Sequence, residues 1–279
     1  MGMSRRAGVV FLLGLAACAG WLSAFQRPFR EYPGMEYNDF PIPADYQEKT
    51  EFVFARLMYP DAAGMGFGFR RRFADWREGY TNWTNDYPRS DRHLMVALRR
   101  LTRINVRSVE QPVNLEDGDE VFNYPFLYMV RAGNGQFTEE QVLKLREYIA
   151  RGGFFIADDI WGDDEFENFR QNIARVLPNR PIVEVENSDA AFHTVYDLEH
   201  RYQISGQWSL RSGVPYLNGG IVPHWRGIYD DKKRLAVAIW VNNDTGDSWE
   251  WADAPEYPER YSALGIRLAV NHVVYAMTH

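Results

Sequence analysis

Asp158 and Asp159 stand side by side at the end of "GGFFIADDIW" (152–161), where an apolar run meets two carboxyl groups. Side chains alternate along a strand, so the two acids are expected to point in different directions. Burial and a neighbouring like charge would raise the pKa of one of them, which suits a general base, a cation ligand or a small-molecule contact. Helix N-terminal N–H groups would hold the other ionised. Asp158 keeps the parity of Phe154 and Ile156 and is the expected site acid, with Asp159 as the capping acid. The plainer alternative is that both acids merely end the strand and cap the turn.

Other candidates lie in three stretches. "NDYPRSDRH" (85–93) offers Asp86 at a turn and Arg92 near a helix start, where Arg92 is positioned to pair with Asp158 or Asp159 or to hold an anion. Gly133, Asn134 and Gly135 form a turn after the apolar run "YPFLYMV" (124–130). "NNDTGDSWEWAD" (242–253) reads as an oxygen-rich loop at a crevice mouth. It departs from EF-hand spacing, because Gly246 falls at its fifth position and Asp253 at its twelfth. Trp249 and Trp251 in this loop are packing residues or an aromatic wall for a sugar. His193 and His224 read as packing or surface residues; a two-histidine, one-carboxylate metal site would require both to approach Asp158, which their spacing does not indicate. No metal ligand and no cofactor is assigned.

The elements that must place these residues alternate between strands and helices. "EFVFARLMYP" (51–60) reads as a first strand. A long loop rich in glycine and aromatic residues follows, then a helix with Ser90 as N-cap and Leu94, Leu98 and Leu101 on its apolar stripe. Strand 124–130 leads through the glycine turn to Thr138-Glu139-Glu140-Gln141, the pattern of a capping box. That helix buries Val142, Leu145, Tyr148 and Ile149 and ends at Gly152, where a left-handed residue is wanted. Strand "FFIAD" follows at once, so this is a βαβ unit with parallel strands. A helix after Asp163 or Asp164, a short strand at 181–185, a strong strand at 234–244 and a terminal helix at 259–277 complete the series. The fold class is α/β: an open, mainly parallel sheet with helices on both faces. In such sheets ligands bind beyond the carboxyl ends of the strands, where both the glycine turn and the acid pair fall.

Composition narrows the function classes. A net charge of -7 gives no electrostatic footprint for nucleic acid. A single cysteine, Cys18, allows neither an internal disulfide nor a cysteine zinc site. Cys18 lies in residues 1–25, where Arg5 and Arg6 precede an apolar run, as in a signal peptide or membrane anchor. Leu15-Ala16-Ala17-Cys18 resembles a lipobox, which would make Cys18 the lipidated residue; Ala17-Cys18-Ala19 fits an ordinary cleavage site, and residues 8–25 approach the length of a span. All three readings place the rest outside the cytoplasm, in the periplasm or cell envelope, with membrane contact through the N-terminus only. Residues 26–50 form a proline-rich linker or surface wrap, and 51–279 form one domain.

"WTNDYPRSDRHL", "YPFLYMVRAGNGQFTEEQVLKLREYIARGGFFIADD" and "RLAVAIWVNND" resemble the bacterial family known as domain of unknown function 4159, and the likeness runs over roughly residues 51–278. The resemblance implies a class I glutamine amidotransferase-like fold, which is flavodoxin-like. Such enzymes carry a cysteine nucleophile at a strand-to-helix elbow, which by order of elements falls near Ala157-Asp158-Asp159; Gly133 falls near the oxyanion-type turn. This chain has no cysteine there, so glutaminase chemistry through a thiol is excluded. It also lacks the histidine that the family pattern tends to carry in the turn reading Ala132-Gly133-Asn134-Gly135 here. The resulting expectation is a degenerate, non-catalytic domain that binds a small ligand or an envelope protein. A metal- or carboxylate-dependent hydrolase using Asp158 or Asp159, and a carbohydrate-binding module, are the alternatives.

Overall fold

The computed structural model describes residues 28–37, 39–64 and 75–279. The stretch with Cys18 that reads as a signal or anchor, and part of the long loop after the first strand, lie outside these residues. Among the described residues no helix is long and apolar enough to cross a membrane.

One seven-stranded sheet organises the chain, in the order β2-β1-β3-β4-β7-β6-β5. Its strands are β1 (Ala55–Met58), β2 (Gln111–Asn114), β3 (Phe126–Met129), β4 (Phe154–Ile160), β5 (Val183–Glu184), β6 (His224–Tyr229) and β7 (Leu235–Val241). The first five strands in that spatial order are parallel, while β6 and β5 are antiparallel additions at one edge. β2 and β6 are absent from the reading of the sequence. Gln111-Pro112-Val113-Asn114 has no apolar run, and β6 interrupts its run with Arg226 and Gly227, as a partly solvated edge allows.

Helices cover both faces, as expected. α1 (Arg89–Leu101) and the terminal α6 (Glu259–Thr278) pack on one face, through Leu94, Met95, Leu98, Leu268 and Val273 against Phe126, Phe154 and Trp240. α2 (Glu139–Ala150) and α3 (Gly162–Val176) pack on the other, through Val142, Leu145, Phe169 and Ile173 against Leu57, Leu127 and Ile239. Two short helices, α4 (Gln207–Arg211) and α5 (Thr245–Glu250), lie in the C-terminal third.

The βαβ reading of β3, α2 and β4 holds in detail. Thr138 accepts from Gln141 N–H while the Gln141 side chain accepts from Thr138 N–H, so the capping box is formed. Gly152 has φ 102°, the left-handed turn that ends α2. Three details differ. Pro88, not Ser90, precedes α1; Ser90 is buried in its first turn, where Arg56 donates to its hydroxyl. Leu101, the last residue of α1, is exposed. β4 does not stop at the acids: it continues to Ile160 through a bulge at Asp158-Asp159, with Asp159 at φ 54°.

Candidate functional site

Both acids of the pair are buried at the carboxyl edge of the sheet, and the β4 bulge sends them apart. Asp158 lies on the α1–α6 face, as parity predicted. Its Oδ2 accepts from Tyr128 Oη at 2.9 Å, from Thr245 N at 3.0 Å, from Gly246 N at 3.1 Å and from the Thr245 hydroxyl. Its Oδ1 is buried and has no hydrogen-bond partner. Burial raises its pKa to about 6, against the pull of the Thr245 and Tyr128 hydrogen bonds. Asp159 turns the other way. Trp161 Nε1 donates to it at 2.6 Å, and Arg131 Nη1 faces it at 3.9 Å. Burial raises its pKa to about 7; Arg131 opposes the rise, and Glu165 and Asp158 add to it.

The expected capping role therefore falls to Asp158. Asp158 receives helix N-terminal N–H groups, those of α5 rather than α3. Asp159 caps nothing: at the start of α3, Glu165 Oε2 accepts Trp161 N–H and Asn242 Oδ1 accepts Gly162 N–H. A bulge rotates the following residue relative to a regular strand, which a reading by parity and order cannot foresee.

The glycine turn is a short helical turn at Ala132–Asn134 that packs on α3. A Cβ on Gly133 would lie 2.5 Å from the Cβ of Glu165, so only glycine fits there. Asn168 donates to the carbonyls of Gly133 and Gly135, and Asn134 is buried. Arg131, just before the turn, has φ 43°. Asp86 (60°), Asp159 (54°) and Asn242 (57°), also at this edge, share that left-handed backbone.

Arg92 does not reach the acid pair. It is taken by Glu110 at 3.2 Å, Glu31 at 2.5 Å and the carbonyls of Phe40 and Pro41, and so fastens the N-terminal wrap to α1. His193 pairs with Asp197 and His224 with Glu184, so neither joins Asp158. Trp249 is a core residue beside Phe54 and Tyr128 and offers no sugar wall; Trp251 is covered by Arg89 and Arg211.

Asp86 does reach the edge. Arg56, fully buried on β1, ion-pairs with Asp91 and donates to the carbonyls of Trp83 and Asn85, which fixes the segment carrying Asp86. Asp86 is buried and meets acids that the sequence reading did not single out. Residues 245–250, taken there as loop, form α5, with Asp244 as its N-cap accepting from Asp247 N at 2.9 Å. Glu250 sits at the helix end and accepts from the Tyr37 hydroxyl, while Glu36 accepts from Asp86 N at 3.2 Å. The spacing Asp244-x-x-Asp247 after an apolar strand was the available signal for the cap. Nothing local marks Glu36, which lies 50 residues from Asp86 in the chain. A surface groove of about 570 Å³, lined by Phe166, Ile173, Leu177, Arg226 and Ile228, lies on the α3–β6 side, away from these groups.

The arrangement can hold protons, accept from donors or gather a cation, and Asp159 has the pKa of a base. It presents no thiol and no histidine at Ala157-Asp158-Asp159. No curated protein is significantly similar to the chain. Residues 72–277 match the family described as a domain of unknown function, DUF4159, and the chain belongs to that family.

Proposed function

We propose that this chain is an envelope-attached binding domain built on an amidotransferase-like fold whose catalytic apparatus is absent. The strand order of its parallel part, β2-β1-β3-β4-β7, corresponds to the 2-1-3-4-5 order of flavodoxin-like sheets and supports that fold. One observation carries the non-catalytic reading. At the elbow position stands Asp158, with no exposed surface: Oδ2 is engaged by four donors and the unpartnered Oδ1 is buried, so neither oxygen is open to attack a substrate. The left-handed residues gathered at the carboxyl edge support binding there, because strained backbone persists where the surroundings enforce a geometry.

The test has two parts. The purified chain should release no ammonia from glutamine; release abolished by Asp158→Asn would overturn the reading. The full chain should fractionate with the envelope, and Cys18→Ser should release or mislocalise it if Cys18 is lipidated. Unchanged processing and retention would favour an ordinary signal or an anchor.

A hydrolase reading keeps one specific support, the Asp159 pKa of about 7 beside Arg131. It predicts turnover of an ester or amide panel that disappears in Asp159→Asn.

A further inference from the structure

Five carboxyl groups from three separated segments converge behind Asp158. The ligand oxygens of Asp86, Asp244 and Asp247 lie within 4.8 Å of one another, as do those of Glu36, Asp86 and Glu250. Oxygens bound to one calcium ion at 2.3–2.6 Å can be at most about 5 Å apart, so both triads have the span of a shared ion.

The cluster alone would be a set of caps, but a second observation points to a missing partner. Asp86 Oδ2 is buried and accepts no hydrogen bond, while its Oδ1 is taken by the Asn85 amide. That free oxygen faces the N-terminus of α5: a Cβ on Gly246 would stand 2.4 Å from it. From the opposite side, a Cβ on Gly206 would stand 2.6 Å from Asp244 Oδ2 and 2.9 Å from Asp247 Oδ2. Two glycines thus let these carboxylate oxygens lie against the backbone, where the Cβ of any other residue would collide with them.

Two neighbouring cations are committed elsewhere, Arg56 to Asp91 and Arg89 to Asp253; Arg131, which faces Asp159, also acts through its charge on Asp86 and Glu36.

We propose that Asp86, Asp244 and Asp247, bordered by Glu36 and Glu250, form a calcium site. All donors are oxygens, which selects a hard cation over zinc or copper. Three carboxylates, bordered by two more, exceed the one or two that magnesium usually takes, and they come from a helix terminus and a turn, with the wrap alongside, which suits the variable geometry of calcium. Glu36 is the exposed member and stands at the open side, so the ion joins the N-terminal wrap to the edge of the sheet. The site does not depend on the non-catalytic reading; loss of one leaves the glutamine and fractionation results unchanged.

The full chain, stripped with a chelator, is titrated with calcium, magnesium and manganese by calorimetry and thermal melting. Calcium should bind with one ion per chain and raise Tm, with at least tenfold preference over magnesium. Asp86→Asn and Asp247→Asn should abolish the calcium response. Asp86→Asn should also leave the melting temperature in chelator unchanged or higher, because it removes like charge; a merely structural aspartate would lower it. Gly246→Ala, whose Cβ would displace Asp86 Oδ2, should abolish binding while all five acids remain. Glu36→Gln should weaken binding about tenfold. No calcium response in the parent chain, equal response to magnesium, or a full response in Asp86→Asn would each overturn the proposal.

Discussion

Gly246 N–H donates to Asp158 Oδ2 at 3.1 Å, tying the end of β4 to the start of a helix 88 residues further along the chain. With the Thr245 N–H and hydroxyl and the Tyr128 hydroxyl on the same oxygen, Asp158 is the fastening point of α5, β3 and β4.

Asp158→Ala strands these donors in a site without water access. A stranded buried donor costs on the order of 1–3 kcal/mol, so the variant should lose several kcal/mol in urea unfolding. Asp158→Asn keeps an oxygen that can accept the same bonds and should lose much less. Equal losses in the two variants would show that acceptance at Oδ2 is not what holds α5.

The pH dependence follows from the raised pKa values. Asp158, at about 6, and Asp159, at about 7, stand above their ordinary 3.8, so the folded chain binds more protons than the unfolded chain between those limits. Their contribution to stability is complete below about 4 and is lost as pH rises through 6 to 7. In chelator, the difference in Tm between the parent and Asp159→Asn should therefore shift in favour of the variant as pH is raised from 4 to 8. A difference that does not change with pH would contradict the raised pKa.

Arg56 and Asp91 are both fully buried, and Arg56 also holds the carbonyls of Trp83 and Asn85. Removing one partner of such a pair costs about 3–5 kcal/mol. Arg56→Met should lose that much and speed amide exchange in residues 83–91, the segment that presents Asp86. The double variant Arg56→Met, Asp91→Leu should regain part of the loss, which a thermodynamic cycle on the four proteins would measure.

Thr138→Ala should cost about 0.5–2 kcal/mol, the range for a lost N-cap. The reciprocal bond from Gln141 is distant from the acid cluster, so calcium binding should not change. A loss of binding in this variant would mean that the cluster responds to general loosening of the sheet.

The sequence by itself determined what depends on near neighbours. The α2 capping box and the Gly152 turn follow from contacts within a few residues, and the parallel pairing of β3 with β4 from the order of the elements. The tertiary structure decided the partners. β2 and β6 lack an apolar run, and only their neighbours in the sheet make them strands. The β4 bulge gave Asp158, not Asp159, the helix N–H groups, because register against β7 is set between strands far apart in the chain. Arg92 turned to Glu110 and Glu31 because the wrap lies over α1. The meeting of Glu36, Asp86, Asp244, Asp247 and Glu250 has no signature along the chain: each acid is ordinary where it stands, and only folding removes the water between them.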